Sequence, residues 1–189
     1  MELFRNLRVR LGKSVLAGKV AKIKRKPFYT NFNNIKSIGL VWDASKTEDF
    51  IYLSGFHQKM SERNIEVKIF GFFPGNELPD KYTAIRYLTC IKKPELDFLF
   101  RPGSTESSTF IQRRFDVLID INFKQLFPLF YITSLSMAGF KVGLAGSAPE
   151  LSPFDLMISL KTPLTIDSYL DQVLYYLDMI NSESEKKAV

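Results

Sequence analysis

The sequence predicts a single three-layer α/β domain of Rossmann or flavodoxin-like type, with a mostly parallel sheet, preceded by a basic helical N-terminal arm. Three observations predict it. Apolar β-forming runs such as Ser37–Asp43 (SIGLVWD) and Asp116–Ile121 (DVLIDI) are continuous rather than alternating, which marks strands buried on both faces. These runs alternate with stretches of helical periodicity, the order that builds a parallel sheet. Finally, nine Lys and Arg within residues 1–26 face the single acid Glu2, a local net charge of +8, while the whole chain carries only +6. The body is therefore slightly acidic, and the pI near 9.3 belongs to the arm.

At 189 residues and 46% apolar composition, the chain can bury one sizeable core but not two. Residues 1–27 form the arm, 28–34 a connector, 35–181 the domain and 182–189 a solvated tail. Within the arm, Phe4, Leu7, Leu11 and Val15 fall at helical spacing, and Leu16, Val20 and Ile23 form a second row. Gly12 and Gly18 each weaken such a helix by about 1 kcal/mol relative to Ala, so it is expected to be helical when bound and frayed when free. Its apolar row has the alternative of packing back onto the body. Lys26-Pro27 should end the helix, because the residue before a proline disfavours helical backbone.

The domain opens with the Ser37–Asp43 strand. Phe50, Leu53, His57 and Met60 then recur at helical intervals within Thr47–Asn64, and Glu66–Phe72 (EVKIFGF) is the next strand. Pro74-Gly75 and Pro79-Asp80 mark turns. Ala84–Ile91 and Asp97–Phe100 read as strands, and Ser104–Arg114 as a helix capped by Ser104 or Thr105. After the Asp116–Ile121 strand, Leu126–Ala138 reads as a helix apolar almost all round. Phe140–Leu144 and Asp155–Leu160 are the last strands, separated by a Ser/Pro-rich loop. Ile166–Asn181 is the final helix, with Thr165 as N-cap and Ile166, Leu170, Val173, Leu174, Leu177 and Ile180 on its core face.

Several classes are excluded. Cys90 is the only cysteine, so there is no internal disulfide, which suits a reducing cytoplasm. The start lacks the uninterrupted apolar stretch of about 7 to 15 residues that a secretory signal needs. The longest charge-free run, Gln125–Phe140, is short of the roughly 20 residues that span a bilayer. A soluble or peripheral cytoplasmic protein is expected, although an Arg-rich, acid-poor start also resembles a transit peptide.

The basic start, the segment NFNNIKSIGLVWDA, and FDVLIDIN followed by a helix and MAGFKVG resemble an uncharacterised family of bacterial proteins, known mainly from the Bacteroidota. That resemblance covers nearly the whole chain and implies no activity. The segment from FDVLIDIN through FKVGLAG is also similar to a strand-helix-strand piece of the Rossmann-like domains in family-nine glycosyltransferases. With no second nucleotide-sugar domain present, transferase activity does not carry over.

In open α/β sheets ligands bind at the carboxyl ends of the strands, which here offer Asp43, Ser45, Asp120, Asn122, Gly146, Ser147, Ser159 and Lys161. Paired aspartates and a lysine would suit Mg²⁺ and a phosphoryl group, as in receiver domains. Receivers, however, place adjacent acids at the first strand's end, and Asp43 is followed by Ala44; loop-anchoring aspartates are the simpler reading. Gly139, Gly143 and Gly146 do not make a nucleotide cradle. His57 reads as a half-buried structural imidazole and Cys90 as a small buried hydrophobe. No catalytic residue, cofactor or metal is indicated. The feature that points outward is the basic set Arg5, Arg8, Arg10, Lys13, Lys19, Lys22, Lys24, Arg25 and Lys26. Its expected partner is RNA or a ribonucleoprotein assembly such as the ribosome, because Lys and Arg release counterions from phosphates without any sequence motif. The alternative is an anionic membrane surface, entered by the interleaved apolar residues.

Overall fold

A computed structural model describes residues 2–29, 31–146, 152–160 and 164–180. Six strands form one sheet: β1 (Ser37–Asp43), β2 (Glu66–Phe73), β3 (Leu88–Lys92), β4 (Val117–Ile121), β5 (Phe140–Leu144) and β6 (Leu156–Ile158). Their order is β3-β2-β1-β4-β5-β6, and every neighbouring pair is parallel. The helices are α1 (Glu2–Val20), α2 (Phe50–Ser61), α3 (Asp80–Thr83), α4 (Thr105–Gln112), α5 (Phe127–Leu135) and α6 (Ile166–Met179).

Strand alternation divides the core. Ile38, Leu40 and Trp42 of β1 and Val117, Ile119 and Ile121 of β4 pack with Leu53, Phe56 and Met60 of α2 and with Tyr169, Leu170, Val173 and Leu177 of α6. Val41, Phe70 and Leu118 pack on the opposite face with Phe110 of α4 and with Leu129 and Ile132 of α5. The three-layer α/β fold that the continuous apolar strands predict is therefore present, with a wholly parallel sheet. The caps follow local chemistry: Ser104 accepts the Ser107 N–H at 3.1 Å and Thr165 accepts the Ser168 N–H at 3.3 Å.

α1 forms an additional outer layer. Leu16 is 3% exposed and clusters with Phe127, Tyr131 and Leu135 of α5, while Val9 and Ile23 pack at the edges. Gly12 permits this approach. A Cβ there would lie 2.6 Å from the Leu99 carbonyl oxygen and 2.8 Å from the Phe127 ring. The helix ends at Val20 rather than near Lys26, because Arg25 is drawn onto the body: its guanidinium binds the Asp155 carboxylate at 2.8 and 2.7 Å and the Gly139 carbonyl at 3.1 Å. Phe28 then donates its N–H to the Gly139 carbonyl at 2.9 Å.

Elsewhere the expectations need correction. Asp97–Phe100 is a turn, not a strand. The Asp97 carboxylate accepts the N–H groups of Leu99 and Arg101 at 2.8 and 2.9 Å, and Phe100 adopts φ 59°, so the chain reverses and only Leu96 and Pro102 bridge. β3 starts at Leu88 rather than Ala84, because the short α3 occupies residues 80–83. α5 stops at Leu135 and Ser136 takes extended backbone, which frees the Thr133 and Ser134 carbonyls for the Lys141 ammonium at 2.8 and 3.1 Å. The tail at 182–189 lies outside the described residues.

The two glycines of α1 should answer alanine in opposite directions. Gly18 has open space around its Cβ position, so Gly18→Ala should stabilise by roughly 0.5–1 kcal/mol through helix propensity. Gly12→Ala gains the same propensity but meets a backbone oxygen and an aromatic ring, and should destabilise by about 1–3 kcal/mol. Urea denaturation of both variants measures the difference; a stabilised Gly12→Ala protein would mean that α1 does not rest on α5.

Candidate functional site

The carboxyl ends of the strands are occupied by the protein's own contacts. The Asp43 carboxylate accepts the Ser45 N–H at 3.0 Å and pairs with the Lys124 ammonium at 2.9 Å, and that ammonium also reaches the Ser45 hydroxyl at 3.0 Å. Asp120 is buried on the α5 side, accepting the Asn122 N–H at 2.7 Å and the Thr133 hydroxyl. Asn122 holds the start of α5 through both of its amide groups, at 2.7 and 3.0 Å from the Leu126 backbone. The adjoining cavity measures ≈ 20 Å³, room for about one water. Ser159 is exposed beyond β6, and Ser147 and Lys161 lie outside the described residues. These side chains anchor loops, as short polar residues do at strand ends.

Burial pushes the Asp120 carboxyl up to about 6, against the hydrogen bonds from Thr133 and Asn122. Nearby, Tyr169 is held well above the usual phenol range by burial and by the Asp120 charge. His57 stacks on Tyr87 with ring centroids 3.6 Å apart, its pKa lowered by burial and by Lys68. The Cys90 thiol is pushed up to about 12 by burial and the Glu95 charge, which leaves no thiolate to act as nucleophile near neutral pH. Among the described residues no cluster of three or more His, Cys, Asp or Glu could hold a metal ion.

The basic set divides into two groups. Three members are engaged internally. The Arg8 Nε donates to the Phe98 carbonyl at 2.6 Å, with the guanidinium 4.2 and 4.3 Å from the Phe98 and Phe100 ring centroids. Lys19 donates to the Tyr131 hydroxyl at 2.8 Å, and Arg25 is fixed to Asp155. Arg5, Arg10, Lys13, Lys22, Lys24 and Lys26 remain exposed.

Docking uses Val9, Gly12 and Leu16, and turns a different row outward: Phe4 is 74% exposed, Leu7 54%, Leu11 49% and Val15 37%. At 100° per residue, Arg10 and the internally held Arg8 flank this row on its two sides, while Arg5 falls toward the docking face and Lys13 almost opposite the row. A row of apolar side chains flanked by Arg8 and Arg10 is thus presented to solvent beside Phe98, itself 71% exposed. A second feature lies at the amino ends of β4 and β5, where Lys24, Lys26, Arg114, exposed Phe28 and Gly139 line a cleft of ≈ 590 Å³. Arg114 and Phe28 carry no motif, and only the path of the chain after α1 brings them to Lys24 and Lys26. No helix among the described residues is long and apolar enough to cross a membrane.

Among known families, Family of unknown function (DUF6913) matches residues 8–180, a span that includes most of α1 as well as the whole sheet. No curated protein matches the chain.

The buried Asp120 gives a pH dependence of definite sign. Its folded pKa of about 6 exceeds the ordinary aspartate value near 3.8, so between those limits the folded chain binds more protons than the unfolded one. The stability it contributes is complete below pH ~4 and is lost as pH rises through ~6, at a rate on the order of 1.4 kcal/mol for each pH step between those limits. Asp120→Asn keeps a hydrogen-bonding side chain beside Thr133 and should remove this loss, so urea midpoints of the variant should exceed the wild type at pH 7 and converge with it near pH 4. A wild-type protein equally stable to the variant at both pH values contradicts a desolvated carboxylate.

Proposed function

Since the chain belongs to this family of unknown function, which lends it no activity, we propose from geometry that it is a non-catalytic binding module docking peripherally on an anionic membrane surface through α1. The observation that carries this reading is the exposed row Phe4, Leu7, Leu11 and Val15, with Arg8 and Arg10 beside it. A nucleic-acid backbone rewards the cations alone and leaves the apolar row in water. A lipid interface rewards both, with apolar side chains entering the acyl boundary and Lys and Arg meeting anionic head groups. A cytoplasmic location facing the inner leaflet of a bacterial membrane accords with this reading.

A second reading, contact with RNA or a ribonucleoprotein such as the ribosome, is favoured by the ≈ 590 Å³ cleft that Lys24, Lys26 and Arg114 line together with Phe28, 70% exposed. Cations that follow a phosphate backbone beside an aromatic face on which a base can stack are the elements of single-strand binding.

Vesicle co-sedimentation of the full chain tests the two. Binding to phosphatidylglycerol vesicles but not to phosphatidylcholine is expected, weakening as salt rises. Arg10→Ala should cost roughly fivefold in partitioning, from about 1 kcal/mol per surface cation. The pair Leu7→Ser and Leu11→Ser should abolish binding with an unchanged melting temperature, since both residues are exposed. Salt-sensitive binding to single-stranded RNA that disappears in Lys24→Glu/Lys26→Glu, with no vesicle binding, would replace the first reading by the second. Binding to neither surface would sink both.

A further inference from the structure

The geometry points to a binding site for a single-chain anionic amphiphile, a long-chain carboxylate, in the cleft between α1 and α5. It goes beyond membrane docking and does not depend on it. The cleft measures ≈ 610 Å³ and is bounded on its third side by residues 152–155. The cleft is open on one side, and its volume falls within the roughly 300–1,000 Å³ of small-molecule sites. Its walls are apolar: Leu16 and Val20 from α1, Phe127 and Phe130 from α5, and Phe154 opposite.

The charges in this lining do not balance. Lys13, Arg25 and Lys141 face a single acid, Asp155. That carboxylate is already engaged, by the Arg25 guanidinium at 2.8 and 2.7 Å and by the Lys141 backbone N–H at 2.8 Å. The Lys141 side chain is buried, with the residue only 2% exposed. Its Nζ donates to the Thr133 and Ser134 carbonyls at 2.8 and 3.1 Å, and an ammonium has a third proton to give. Burial first, and the Arg25 charge second, lower its pKa to about 7 against the opposing Asp155 charge. Lys13 stands exposed at the rim of the same cleft.

A monoanionic head group supplies the missing charge, and the aliphatic chain covers the apolar walls. A nucleotide is a poor occupant, since several phosphate charges would meet a mostly apolar lining and the chain has no phosphate-binding loop. A neutral lipid fills the walls but leaves the lysine without an anion.

The test uses the full chain, stripped of bound lipid, titrated with a fluorescent long-chain fatty acid below its micelle concentration, with the fatty alcohol of equal length as competitor. Saturable 1:1 binding is expected, with the alcohol competing at least tenfold more weakly than the unlabelled acid. Lys141→Met should weaken the acid at least tenfold and leave the alcohol unchanged. Because Lys141 also closes the end of α5, a second variant guards against misfolding: Ala17→Trp, at an exposed position on the cleft wall, should block acid and alcohol alike at an unchanged melting temperature. Leu7→Ser/Leu11→Ser, which tests the membrane face, should bind the fatty acid as the wild type does, so the two readings fail separately. Absence of saturable binding, equal affinity for acid and alcohol, or binding untouched by Ala17→Trp overturns the proposal.

Discussion

The structure depends on the covering of α5. One side of this helix must pack on the sheet, where Leu129 and Ile132 meet Val41, Phe70 and Leu118. The other side, with Phe127, Tyr131 and Leu135, is just as apolar and cannot face water without a large exposed patch. α1 supplies the cover, with Leu16 at its centre and Gly12 allowing the close approach. Burying one leucine side chain is worth about 1.5–3 kcal/mol, so a helix of this length needs more to hold it. The bidentate Arg25–Asp155 pair supplies it beyond the helix end, where charge-assisted hydrogen bonds fix direction as well as position. The basic segment is thus a structural layer of the domain.

This explains which parts of the fold are legible in the sequence. β1 and β4 lie at the centre of the sheet, so their environment is apolar on both faces and their composition must be continuous, a signal that needs no tertiary knowledge. Asp97–Phe100 carries the same local pattern, but the Asp97 carboxylate organises a turn through backbone N–H groups, and side-chain competition of this kind is invisible to periodicity. The all-round apolarity of α5 is legible as a fact and silent as to its cause, because the covering helix precedes it by more than a hundred residues.

The candidate site shows the same limit more sharply. Nine cations read alike in the sequence, yet Arg8, Lys19 and Arg25 find partners 90, 112 and 130 residues away and leave the solvent-facing set. The strand-end polar residues are identifiable by position, but their partners Lys124 and Thr133 carry no motif. Lys141 escapes notice for a related reason: within β5 it interrupts an apolar run, and only the carbonyls at the end of α5 reveal why a charge is tolerated there. What sequence periodicity does resolve is that α1 has two apolar rows. Which of them docks is decided by Gly12, a residue whose local effect is to weaken the helix and whose tertiary effect is to place it.

Two apolar rows on one helix set the geometry of everything proposed for this surface. Leu11 and Leu16 are five residues apart, which at 100° per residue separates them by about 140° around the axis. The face turned to a membrane is therefore distinct from the face that holds the domain, and α1 can engage a surface without leaving α5. Lys13 and Ala17, which line the cleft, lie beyond Leu16, about 160° and 120° from Leu11. A helix lying flat on an interface buries its apolar face only to the head-group boundary, so the cleft side of α1 is turned away from the lipid. The membrane face and the cleft are thus two sides of one helix, and any movement of α1 away from α5 widens the cleft by giving up the close Gly12 approach that sets the helix in place.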